Sequence, residues 1–347
     1  MQRQLLLSGL AALCFVFPRT AAAYPIPPET LWGLTEKADV VVLATVKEVK
    51  PRKAAGTDDW DASDRAVLVV KEIWKGPRAQ ELNKELNVDF GAHIMCPAPA
   101  RFEPLLDVLT FLSRSADGKS LQVVGLSYGT LYPEVRDVPA FRRLVKDAVA
   151  IQASKDPMAT AGRRVDWLVG AAEEPATRWH GVYELDSSAD RLHAFYDTEP
   201  RTTRQSLDDQ QVERLRRAFV ERPVLDGTLP MLLKLLGDRP SAEVDRTAVA
   251  AIDTILQADN PPYWSADLIA LTRVRLGLKA PPTRTHRPKD KAGMFDIEAD
   301  PIFWPGSDPV ASRKEWAAIR RKLPFPNRLL SWPGRATVRG VGVDSPP

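Results

Sequence analysis

The chain has 347 residues, 44% of them hydrophobic and 27% charged, with 48 Lys and Arg against 45 Asp and Glu. This composition excludes a collagen, a coiled coil and a wholly disordered chain, and the length points to two domains. The near-neutral balance gives no reason to expect nucleic acid or another polyanion as partner.

The first 23 residues read as a signal peptide, with a positive start at Met1–Gln4, an apolar core from Leu5 to Phe17, and small residues at Ala21-Ala22-Ala23 for cleavage. A core of about 13 apolar residues is too short to span a bilayer, and no later stretch reaches the length of a membrane helix. The expectation is a mature protein that starts near Tyr24, is periplasmic or secreted, and has no integral membrane span. Cys14 leaves with the leader, so Cys96 stands alone and no intramolecular disulfide forms.

From Ala38 to about Gly129 the pattern is that of short strands. Val40 to Val46 is a β-branched run that shifts into alternation through Val49, followed by Ala66–Val70, Leu86–Phe90, Leu105–Leu112 and Leu121–Val124. Turn signals at Lys75-Gly76-Pro77, Cys96-Pro97-Ala98-Pro99 and Asp117-Gly118-Lys119 separate them. Five such strands predict a small closed or nearly closed β-barrel, which removes exposed sheet edges by curling on itself. A helix over Glu29–Lys37 leads in, and one over Phe141–Ser154 closes the domain, whose expected span is 24–156.

After Pro157 the period changes to about 3.6 residues. Helices are predicted over Val165–Ala172, Ala176–Leu185, Asp208–Val220, Leu229–Leu236, Ala242–Leu256 and Ser265–Leu276, giving an α-helical repeat-like domain over 157–279. Arg178, Gly181, Glu184 and Leu185 correspond at an offset of 67 to Asp245, Ala248, Ala251 and Ile252. Small residues at the central position would let antiparallel helices of stacked hairpins approach closely. Residues 280–347 form a basic tail rich in proline and aromatics, with 11 prolines. One amphipathic helix is placed in it over Asp308–Leu323, and its aromatics are expected against the helical domain.

The series Ala38-Asp39-Val40-Val41-Val42-Leu43-Ala44-Thr45-Val46, Val67 to Gly76 ending in Trp74-Lys75-Gly76, Cys96-Pro97 and Leu109-Thr110-Phe111-Leu112 resembles bacterial exported domains with the OB-type barrel of netrin-like modules and tissue inhibitors of metalloproteinases. The likeness covers about 24–150, and the helical half resembles HEAT-type repeats more loosely. Inhibitors of that family chelate zinc through an N-terminal cysteine. Tyr24 stands in that region with no cysteine near, so that mechanism does not carry over.

Candidate chemistry is sparse. Gly125-Leu126-Ser127-Tyr128-Gly129 matches the G-x-S-x-G turn that presents a nucleophilic serine. It lacks the following helix and the oxyanion loop, and reads better as a glycine-bracketed bend ending the last strand. His93 and Cys96 supply two ligands where a metal site needs three or four. The acidic run Asp58 to Asp64 lacks the glycine and terminal glutamate of a calcium loop. Glu173-Glu174 is placed at the opening of a helix, where carboxylates suit the dipole. Arg320-Arg321-Lys322 beside Trp316 reads as a solvated helix end or an envelope contact.

The expectation is therefore an exported, non-enzymatic binding protein of the bacterial envelope, with no cofactor, no metal and no catalytic set, and with an envelope or extracellular protein as partner. The alternatives are a protease inhibitor acting through barrel loops and a serine hydrolase using Ser127. On the barrel, the loops Lys50–Asp64 and Ala92–Pro104 flank the binding face, and Trp60 is the expected aromatic contact.

Overall fold

The computed structural model describes residues 28–51, 64–77, 84–91, 99–115, 120–185, 206–237, 239–262, 264–278 and 309–323. The expected leader, Trp60, His93, Cys96, the acidic run before Asp64 and most of the tail lie outside the described residues.

Strand β1 (Val40–Lys50) pairs antiparallel with β2 (Asp64–Lys75) on one side and with β4 (Asp107–Arg114) on the other. β2 continues to β3 (Glu85–Phe90), β3 runs parallel to β5 (Leu121–Val123), and β5 returns to β4. The ring β1-β2-β3-β5-β4 is a closed five-stranded, OB-like barrel, with the two-residue β6 (Thr130–Leu131) beside β4. The unbroken apolar run in β1 has a physical reason. Val40, Val42, Ala44 and Val46 fill the barrel with Leu68, Val88 and Leu112, while Val41 and Leu43 face outward into a second core. A strand buried on both faces cannot alternate. Where the outer face meets water, at Lys47, alternation begins. Three register shifts between β1 and β2 coil these long strands around the barrel.

Helices α1 (Leu31–Lys37) and α2 (Val138–Gln152) cover the outer face at Val41, Leu43, Trp74, Leu109 and Phe111. The α2 stripe is Phe141, Leu144, Val145, Ala148 and Ile151, at the spacing that keeps one helical face on the core. Arg142 fastens α2 to β2 by donating Nε to Glu72 at 2.7 Å.

The same apolar packing continues into the helical half without a break. Helices α3 (Pro157–Glu173) and α4 (Arg178–Leu185), α5 (Asp209–Glu221) and α6 (Thr228–Leu236), and α7 (Ala242–Ile255) and α8 (Ser265–Arg275) are three hairpins. α3, α5 and α7 are neighbours in one layer, and α4, α6 and α8 in the other. Close approach within the first hairpin depends on Gly181, as its small side chain predicted: a Cβ there would lie 2.4 Å from the Leu168 carbonyl oxygen. The offset of 67 does not mark the structural repeat, because it equates α4 with α7, which lie in different layers.

Helix α9 (Pro309–Arg320) packs on α7. Trp316 is buried and donates Nε1 to Asp253 at 2.7 Å, and Arg320 donates to the same carboxylate at 3.0 Å. Arg320 is thus a docking residue, not part of a solvated helix end; Arg321 and Lys322 are exposed. Among the described residues no helix is long and apolar enough to cross a membrane.

Candidate functional site

Ser127 lies on one 3-10 turn, Leu126–Gly129, between β5 and β6, with no α-helix starting there. Both glycines of the motif are explained by the turn. Gly125 has φ of 70°, and a Cβ on Gly129 would sit 1.9 Å from the Val124 carbonyl oxygen. Among the described residues no base is hydrogen-bonded to the Ser127 hydroxyl. His180 is committed elsewhere: its Nδ1 accepts the Leu31 N–H at 3.1 Å, and its ring packs edge-on against Trp179 and Phe141. Burial pushes its pKa from 6.5 down to about 4. Ser127→Ala should therefore leave stability within about 0.5 kcal/mol of the parent. Loss of an esterase activity at unchanged melting temperature would instead make Ser127 a nucleophile.

On the outer face of β2 and β3, where OB barrels often take ligands, the described side chains form ion pairs. Arg65 holds Asp89 at 2.8 Å, and Lys47 of β1 reaches Glu85 at 2.7 Å. Lys71 and Thr45 both bond Asp107. Among the described residues no three His, Cys, Asp or Glu side chains converge as metal ligands.

Among the described residues, one concave feature is a cleft of about 750 Å³ between α2, α3 and α5. Helical spacing builds each wall. Arg143, Asp147 and Ile151 recur every four residues on α2, while Arg163, Asp166, Gly170 and Glu173 share one face of α3. The N-terminal turns of α5 add Gln210, Gln211 and Arg214.

Internal bonds hold most of these groups. Arg214 donates to Glu173 at 2.6 Å and lies 3.9 Å from Asp166, and the Glu173 bond raises the pKa of the guanidinium. Gln211 donates to Asp166 at 2.7 Å. Its backbone N–H bonds the Asp208 carboxylate at 2.8 Å in a capping box that starts α5. Arg143 and Arg222 both hold Glu174, at 3.3 and 3.1 Å. The expected role of Glu173-Glu174 at a helix start is corrected here. Glu173 ends α3 and Glu174 is its C-cap, where the dipole disfavours anions, so three arginines offset the mismatch.

Beneath this end of the cleft, Arg178 is fully buried and gathers helix C-terminal carbonyls. It donates to Ala172 O at 3.0 Å and Arg222 O at 2.9 Å, tying α3 to α5. Burial pushes its pKa down to about 10, so it stays charged at neutral pH. Sequence reasoning named Arg178 only as a member of the repeat, and missed both its buried role and the cleft. The available signal for Arg178 was an arginine just after a helix end that needs a cation.

No protein-family model matches the chain, and no curated protein sequence matches it.

Proposed function

We propose that the chain is an exported, non-enzymatic binding protein of the bacterial envelope that holds another protein in the α2/α3/α5 cleft. The observation that carries this reading is the cleft itself: about 750 Å³, lined by charged and amide groups from three helices and braced by ion pairs on a shared core. Sites of this size lie within the usual range for specific ligands, about 300–1,000 Å³. The OB-like ring of strands supports a netrin-like module, and the layered hairpins support a HEAT-like stack, whose exposed helix faces are binding surfaces. Trp60 anchors a second contact from the barrel.

The test is a photo-crosslinking residue at Gln210, in the cleft, with one at Val135, 87% exposed and outside it, as control. In the native host, a discrete protein adduct is expected from position 210 only, on a chain whose N-terminal sequence starts near Tyr24. Identical adducts at both positions, or none, would overturn the binding assignment. An intact Met1 would overturn export.

A further inference from the structure

We propose that the cleft takes a short peptide with a free ammonium and a free carboxylate, the first held by Asp147 and the second by Arg163. This rests on the reading of the cleft as a binding site and names what it recognises.

Eight ionised side chains line the cleft. Six are engaged: Arg214 with Glu173 and Asp166, Arg143 with Glu174, and Asp208 with the α5 N-terminus. Asp147 and Arg163 remain, one carboxylate on α2 and one guanidinium on α3, both exposed and with no hydrogen bond or ion pair to another described residue. They do not bond each other, although the helix pairing sets them across one cleft. Leu144 meets Trp167, and Arg143 meets Glu174, so Asp147 faces the Arg164–Gly170 stretch of α3. Gln210 on the third wall is also exposed, with no hydrogen bond to another described residue, and its amide suits a peptide group.

Gly170 is the independent observation. It sits inside α3, where glycine costs about 1 kcal/mol relative to alanine. Packing does not require it, since a Cβ there would meet only Arg214 Nη2, at 3.6 Å. Its absent side chain lowers the cleft floor. From Gly170 to Arg163 the helix rises about 10 Å, the reach of about three extended residues. A tripeptide lying along α3 thus places its carboxylate at Arg163 and its ammonium end over Gly170, within the stretch that Asp147 faces.

The experiment is calorimetric titration of the full chain with tri-alanine, N-acetyl-tri-alanine and tri-alanine amide. Tri-alanine is expected to bind at one site with Kd at or below about 1 mM. Capping either end, Asp147→Asn, or Arg163→Gln should each weaken binding about tenfold or more, because each removes one charge-assisted hydrogen bond. Gly170→Leu should abolish binding without lowering the melting temperature, which separates a filled floor from a damaged fold. No saturable heat up to about 10 mM, or equal heats for free and capped peptides, overturns the proposal. If position 210 still gives its protein adduct while tri-alanine does not bind, the peptide specificity falls and the binding-protein reading stands. If tri-alanine binds and no adduct forms, the cleft is a binding site for a peptide and the protein partner assigned to it falls.

Discussion

Gly181→Ala is expected to lower stability by about 3 kcal/mol or more, the upper end of the cost of overpacking a core. The added Cβ would lie 2.4 Å from Leu168 O and 2.5 Å from Ala172 N, and both atoms belong to the α3 backbone. A side chain could rotate away, but a helix must translate. Here translation would pull apart Leu168, Ala172, Val182 and Leu185, all fully or almost fully buried in the shared core. Gly162→Ala, in α3 of the same hairpin, supplies the comparison. Nothing lies within 4 Å of a Cβ there, so only helix propensity acts and a gain of about 0.5–1 kcal/mol is expected. Urea unfolding of both variants decides the matter. Midpoints that shift alike would mean that close approach of α3 and α4 is not what Gly181 provides.

Gly181 also shows what a sequence reveals. Stripe spacing, small residues at helix contacts and the doubled burial of β1 are local patterns, and they placed the strands and helices to within a few residues at most ends. The end of β2, at Lys75 rather than Val70, is one exception, and the start of α3 is the largest. Periodicity begins at Val165, yet the helix begins at Pro157, because its first two turns face solvent and carry no stripe; Met158 is 84% exposed. The signal there was chemical: Asp156 caps the helix by accepting from Met158 and Ala159 N–H at 3.0 and 3.2 Å, with proline following at the first position.

The cleft had no such signal. Its walls come from positions as far apart as Arg143 and Arg214, each on the polar face of its own helix, where a charged residue is the ordinary choice. Which charges pair and which stay free depends on how α2, α3 and α5 pack, a long-range outcome of the shared core. Arg178 was hidden for the opposite reason: arginine is seldom fully buried, and only the convergence of two helix C-termini makes its burial favourable.

His180 should give the fold a distinct acid dependence. Its environment favours the neutral ring twice over. Burial removes water from the charged form, and Nδ1 must stay unprotonated to accept the Leu31 N–H that docks α1 onto α4. Unfolded, the ring titrates near 6.5; folded, near 4. The folded pKa is the lower one, so between these values the unfolded chain binds the proton more readily and stability falls as pH falls. Well above pH 6.5 the ring is neutral in both states and contributes no slope. Integrating gives a loss of about 2 kcal/mol by pH 5 and about 3 kcal/mol by pH 4. The upper part of this window lies above the ordinary carboxylate values of 3.8 to 4.5, below which ion pairs such as Glu72 with Arg142 also weaken. Neighbouring charges do not change the sign. Glu184 bonds Thr30 and Arg164, and Lys37 is paired with Glu29, so α1 meets α4 through satisfied groups. His180→Asn keeps an acceptor and removes the titration. Chemical denaturation at pH 7, 6 and 5 should show the parent losing about 2 kcal/mol more than the variant. Parallel curves would mean that His180 is not held neutral in the fold and that its bond to Leu31 does not dock the helix.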